Sequence, residues 1–159
     1  MSIEDIKQIM DGFDPAALLP ELSSLEGKVE LICRVALLAG PIVLLALGIA
    51  YLLFAPREAN YHFGYRCFFG MGSSLAWRFT QRLAGGLWAL LGLILTLVMV
   101  GKTNGLRELA VMDQVWTALR YLLWEAGLAL GSILVINLTV AVFFNVKGDR
   151  RFRLKLKKE

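Results

Sequence analysis

Three long runs of this chain contain no charged side chain. They cover residues 35–55, 83–101 and 126–146, which are 21, 19 and 21 residues long. A bilayer's hydrocarbon core, about 30 Å thick, is crossed by roughly 20 helical residues. A backbone in lipid must also satisfy its own hydrogen bonds, which a helix does. The pattern therefore predicts an all-α integral membrane protein with three transmembrane helices plus short interfacial helices.

The charged segments around these runs define the domain organisation. Of the 159 residues, 57% are hydrophobic and 19% are charged, which leaves no room for a separate soluble domain of ordinary size. Residues 1–27 are predicted to form an acidic arm, which is either an interfacial helix or packed arm or a loosely ordered segment. We predict a three-span membrane domain over 28–146, with spans at about 30–55, 83–101 and 122–146, and a polybasic tail over 147–159.

The distribution of basic residues predicts the orientation of the spans. Eleven lysines and arginines lie in 56–82 and 147–159, whereas six lie in 1–34 and 102–125. Because cytoplasmic flanks are enriched in lysine and arginine, the N-terminus is expected outside and the C-terminus in the cytoplasm.

The C-terminal tail is expected to rest on anionic lipid headgroups. Each basic charge close to an anionic leaflet contributes about 1 kcal/mol. Nucleic-acid binding is not expected, since the cluster is short and tethered to the membrane. The basic residues predicted to face lipid are Arg150, Arg151, Arg153, Lys155, Lys157 and Lys158.

Little in the chain indicates a metal or cofactor site. The only histidine is His62, and the two cysteines, Cys33 and Cys67, are predicted on opposite sides of the first span. Bridged cysteines need Cα atoms within about 7 Å, so these two are expected to be free thiols. No cofactor is predicted, and a metal centre is disfavoured because clustered Cys and His ligands are missing.

The most unusual segment is the loop between the first two spans, 56–82. It contains the run Asn60-x-x-x-Gly64-Tyr65-Arg66. Glycine lets the backbone turn or approach closely, and arginine pairs bidentately with carboxylates, phosphates or carbonyl oxygens. Ser73 or Ser74 is expected to cap a helix that continues to Gly101.

The spacing of residues along that helix places two groups of side chains on different faces. Trp77, Gln81 and Gly85 share one face at i, i+4 and i+8, while Arg78 and Arg82 form a basic stripe. The loop is either a structural lock beneath the bundle or a cytoplasmic site for an anionic lipid headgroup, a ligand or a protein. The candidate site residues are Asn60, His62, Gly64, Tyr65, Arg66, Trp77, Arg78 and Gln81.

Small and polar residues in the third run suggest helix contacts. Gly127 and Gly131 have the G-xxx-G spacing that lets membrane helices approach, within one chain by preference or across a dimer. Asn137 is expected to bond across helices rather than to bind a substrate. Glu125 lies near the outer edge, where we expect it to remain hydrated.

The loop motif resembles that of the bacterial SdpI family. The similarity rests on Asn60, Gly64-Tyr65-Arg66, Met71, Ser73, Trp77-Arg78, Gln81 and Gly85, although Cys67 stands where the family usually has threonine. The best-known member of that family confers immunity to a secreted toxin and holds a transcriptional repressor at the membrane. The resemblance implies a non-enzymatic protein of the bacterial plasma membrane, in toxin-peptide immunity or membrane-associated signalling.

The three uncharged runs make the bilayer an expected partner, and the resemblance adds a toxin peptide or a cytoplasmic regulator. Self-association is left open. One alternative is a small oligomeric transporter or channel subunit, which the lack of ionisable residues within the three runs disfavours. A less favoured alternative is a membrane enzyme that acts on a lipid-linked substrate through His62 and Arg66.

Overall fold

The computed structural model describes residues 15–59 and 62–151, and of residues 15–26 it describes the backbone alone. Three long helices make up this part of the chain: α1 (Pro15–Phe54), α2 (Ser74–Thr103) and α3 (Val111–Phe143). A short 3-10 helix, Leu106–Glu108, lies between α2 and α3. All three long helices are long and apolar enough to cross a membrane. The predicted all-α, three-span fold is confirmed, and its orientation stays a prediction.

Helix α1 extends further towards the N-terminus than the predicted first span. It begins at Pro15 and ends at Phe54, two residues before Pro56. Proline suits the first helical position because its missing N–H has no helical partner there. Residues 15–27 therefore continue the first span as one helix, and an interfacial position for them stays a prediction. Residues 1–14 of the acidic arm lie outside the described residues.

Helices α1 and α2 approach each other through glycine. A Cβ placed on Gly48 would overlap the backbone of Ala89, and one on Gly92 would overlap the backbone of Leu45. A Cβ on Gly85 would lie 2.9 Å from the Leu52 side chain. These glycines bring the two backbones into direct contact, as small residues do between membrane helices.

Helix α3 packs onto this pair through side chains at two levels. Near the loop, Ile136, Val140 and Phe144 form a buried cluster with Trp88 of α2 and with Tyr65. At the opposite end, a second cluster joins all three helices and the 3-10 turn through Cys33, Leu37, Met99, Leu106 and Ala118. The bundle is thus held at both ends. Leucines such as Leu53, Leu97 and Leu134 stay exposed on the outer surface, where lipid would contact them.

Two expectations about α3 are wrong. Among the described residues, no atom of another helix lies within 4 Å of a Cβ built on Gly127 or Gly131, so these glycines do not mediate the expected contact between the three described helices. Glu125 is buried, with 7% of its surface exposed, because its face of α3 turns towards α1 rather than outwards.

Replacing Gly92 by alanine is expected to lower the free energy of unfolding by about 1–3 kcal/mol, because the added methyl overpacks the contact with Leu45. Gly86→Ala is the matched control, since nothing lies within 4 Å of the corresponding Cβ. The control should be neutral or stabilising by up to about 1 kcal/mol through helix propensity. Unfolding in detergent, followed by circular dichroism, measures both variants. Equal destabilisation by the two would contradict this packing.

Candidate functional site: a locked loop and an arginine face

The loop between α1 and α2 is fastened to α2 by side chains of the predicted motif. The Gln81 side-chain amide donates to the Tyr65 carbonyl oxygen at 2.7 Å, and its Oε1 accepts from the Tyr65 N–H at 2.8 Å. The Trp77 indole N–H donates to the carbonyl oxygen of Pro56 at 2.8 Å. Both side chains are almost fully buried. The loop is therefore held at its start and near its middle by neighbouring turns of one helix.

Gly64 is the residue that lets the loop pass so close to α2. Its φ angle is +120°, a conformation that L side chains rarely adopt. A Cβ there would also lie 2.8 Å from the Trp77 ring and 2.9 Å from Gln81 Oε1. Glycine is required on both grounds.

Tyr65 links the loop to α3. Its ring packs edge-on against Trp88 with ring centroids 5.4 Å apart, and its hydroxyl donates to the Ile133 carbonyl oxygen at 3.5 Å. Burial raises the pKa of the Tyr65 phenol, and a hydrogen bond with Asn137 opposes that shift. The phenol is therefore a neutral hydrogen-bonding group here. The partner of Asn137 in this contact is therefore in the loop, whereas the sequence predicted a bond to another helix.

The start of α2 is fastened to the segment that follows α3. Ser73 Oγ caps the helix by accepting from the Ala76 N–H at 3.1 Å, and it donates to the Gly148 carbonyl oxygen at 2.8 Å. Gly148 lies in a tight turn with φ of +75°, closed by hydrogen bonds between Asn145 and Asp149. The first residues of the predicted tail thus dock beneath the bundle.

Four arginines line the surface that this arrangement creates. A cavity of about 190 Å³ is bordered by Arg57, Arg78 and Arg82. A second cavity of about 250 Å³, bordered by Arg78, Arg82 and Arg150, lies on the other side of the stripe. All four side chains are exposed. We call Arg57, Arg78, Arg82 and Arg150 the arginine face, and its charge and small cavities suit a carboxylate or phosphate group.

Three other predicted site residues lie on the surface. His62 and Arg66 are exposed on the loop, and Arg151 donates from Nε to the Phe144 carbonyl oxygen at 3.2 Å. Burial raises the pKa of the neighbouring Cys67 thiol, which favours its neutral form. The predicted positions outside the described residues are Asn60, Arg153, Lys155, Lys157 and Lys158.

Comparison with known proteins identifies the family. The SdpI/YfhL protein family matches residues 57–145, which contain the loop, α2 and α3. The chain belongs to the SdpI/YfhL family. No curated protein and no solved structure matched it. The matched region of this SdpI-family chain begins in the loop, at Arg57, and leaves out the whole of α1.

Sequence reasoning missed part of this candidate site. Arg82 was visible as the partner of Arg78 in the i, i+4 stripe, but Arg57 and Arg150 reach that stripe only through the folded loop and the turn after α3. Within residues 15–59 and 62–151, no three His, Cys, Asp or Glu side chains converge on a point that could hold a metal ion. The exposed arginines of this face are suited to bind an anion.

Gln81→Leu is expected to destabilise the protein by about 2 kcal/mol or more. The substitution leaves the Tyr65 N–H and carbonyl groups buried without partners, and each such loss costs about 1–3 kcal/mol. Hydrogen exchange at residues 62–70 should accelerate, and unfolding in detergent gives the energy. Asn104→Ala, at an exposed amide beyond the other end of α2, is the control. Unchanged exchange in Gln81→Leu would show that the lock is not formed.

Proposed function

We propose that this SdpI-family chain is a non-enzymatic protein of the bacterial plasma membrane that works in signalling. It would hold an acidic cytoplasmic regulator against the arginine face. The observation that carries this proposal is the convergence of four exposed arginines, from the loop, α2 and the turn after α3, around two small cavities. Arginine favours carboxylate recognition because its guanidinium forms paired hydrogen bonds.

The internal hydrogen bonds of the buried motif residues support a non-enzymatic role. Both polar atoms of the Gln81 amide are used by the Tyr65 backbone, and the Trp77 indole N–H is used by Pro56. Groups committed to internal hydrogen bonds are poor candidates for proton transfer or nucleophilic attack on a substrate. The motif thus supports a rigid platform, on which the exposed arginines would make the contacts.

Anionic lipid headgroups are the natural competitors for the same surface. If the motif end is cytoplasmic, the arginine face lies near the anionic leaflet, where each charge is worth about 1 kcal/mol. The regulator must therefore present several carboxylates at once, as an acidic helix or loop does. This requirement makes the proposal specific to a partner with clustered acidic residues.

The double variant Arg78→Gln, Arg82→Gln tests the proposal. In a strain that lacks the gene, wild-type protein should restore a defined set of transcript levels, and the double variant should not, because it removes the two arginines shared by both cavities. Transcript sequencing is the measurement, with membrane levels of each variant checked by immunoblot.

The control carries the same charge change at the other end of the bundle. Arg107→Gln, Arg120→Gln alters two exposed arginines and should restore the transcripts fully. Full restoration by the Arg78, Arg82 variant would contradict regulator binding at this face. Ion flux through the purified protein in liposomes, or turnover of a lipid-linked substrate, would instead support the transporter or enzyme alternative.

Toxin-peptide immunity is the second candidate, and a separate surface favours it. Trp116 and Trp124 are 55% and 71% exposed near the end predicted to lie outside. Beside Trp124, a cavity of about 430 Å³ is bordered by Arg120, Leu123 and Gly127. Amphipathic aromatic residues at a membrane edge are suited to contact a membrane-active peptide.

Survival under challenge by secreted antimicrobial peptides tests immunity. Cells with wild-type protein should survive better than cells without it, and Trp124→Ala should lose that protection because it removes the largest exposed side chain of this surface. Phe54→Ala, an exposed aromatic at the motif end, is the matched control. Absence of protection with wild-type protein would remove this candidate and leave signalling.

A further inference from the structure

Glu125 is a buried carboxyl group without a visible partner. Only 7% of the Glu125 surface is exposed. Its Oε1 atom is buried and has no hydrogen-bond partner among the described residues. The other oxygen, Oε2, lies 3.0 Å from the position that a Cβ on Gly40 would take. Glu125 follows Arg120 by five residues, which places it about 7.5 Å further along α3. A charged group in the interior of a membrane bundle marks a functional site by default.

The carboxyl group faces a cavity of about 300 Å³ between the three helices. Among the residues that the structure describes, Glu125 is the only charged one at its border, and the others are apolar. Val43, Leu47 and Ala126 at its border are exposed, so the cavity opens towards the side that lipid occupies. The other residues around it include Gly40, Pro41, Leu44, Leu95, Leu122 and Ala129.

No cation of the described chain reaches this cavity. Arg34, six residues before Gly40 on α1, is paired with Glu30 at 2.7 Å. Lys102 and Arg120, the nearest basic residues on α2 and α3, do not border the cavity and are exposed. Burial of an unpaired carboxylate costs free energy, and a cation bound beside the carboxylate offsets that cost.

We propose that Glu125 and this cavity form a binding site for a lipophilic primary amine that enters from the membrane. The ammonium group pairs with the Glu125 carboxylate, and the alkyl chain lies along Val43, Leu44 and Leu47. The volume is at the lower end of small-molecule sites, which fits one alkyl chain and a small head group rather than a helix. This site is separate from the arginine face and does not depend on the proposed signalling role.

Photo-crosslinking with a diazirine-bearing dodecylamine tests the site. The purified protein in phosphatidylcholine nanodiscs is irradiated with the probe, and the adducts are mapped by mass spectrometry. Adducts are expected within 40–47 and 122–129. Excess dodecylamine should suppress them, whereas dodecanol, which has the same chain without the charge, should not.

Variants distinguish the contribution of the carboxylate to binding from that of the cavity. Glu125→Gln should lower the specific adduct yield about tenfold, the change expected for loss of one charge-assisted hydrogen bond. Glu108→Gln, an exposed carboxylate outside the cavity, should leave the yield unchanged. Ala129→Phe keeps the carboxylate but fills the cavity, and it should also abolish specific labelling. Gel filtration and thermal unfolding establish that each variant is folded.

Two outcomes would overturn the proposal. One is equal labelling of wild-type protein and a folded Glu125→Gln variant. The other is equal suppression by dodecanol, which would make the cavity an ordinary cleft for acyl chains. Suppression by phosphatidylethanolamine in the nanodisc as strong as by dodecylamine would support the proposal and identify a membrane aminolipid as the amine. Ala129→Phe decides the first comparison if Glu125→Gln does not fold.

Discussion

The direct contact of the α1 and α2 backbones is the constraint on which the rest of this molecule depends. In lipid, apolar side chains gain little by leaving one hydrocarbon environment for another, so helices associate mainly by close packing and hydrogen bonds. Gly48, Gly85 and Gly92 supply that packing, because a side chain at any of them would meet atoms of the partner helix. The contact fixes both the rotation and the height of α2 relative to α1.

The geometry of the loop follows from that rotation. Gln81 and Trp77 lie one and two turns before Gly85 on the same face of α2, so they meet the chain that leaves α1. Gly64 lets the loop lie against these side chains, and Tyr65 then reaches Trp88 and α3. The Ser73 cap and the Gly148 turn complete the fastening on the other side. The arginines come together because every segment that carries them is fixed to α2.

How much of this could be predicted depends on the range of each interaction. The length of the uncharged runs identifies the spans, and helical spacing identifies the face of α2 that carries Trp77, Gln81 and Gly85. Both are local properties of the sequence. Contact partners are not local: Gly85 packs against α1 while the adjacent Gly86 faces open space, and the G-xxx-G spacing of Gly127 and Gly131 led to a wrong expectation. Arg57 and Glu125 were undervalued for the same reason, since the loop path and the rotation of α3 decide what surrounds them.

The buried polar groups of the bundle differ in whether they have hydrogen-bond partners, and this contrast bears on the proposed functional sites. At the motif end, the buried amide of Gln81 and the indole of Trp77 have partners, so the signature residues account for architecture. Nearer the opposite end, Glu125 Oε1 is buried without a described partner beside an apolar cavity. Buried polar groups without hydrogen-bond partners are expected at functional rather than structural positions. In this protein the buried motif residues form the scaffold, and the two binding proposals rest on the exposed arginines, which include Arg78 of the motif, and on the buried Glu125.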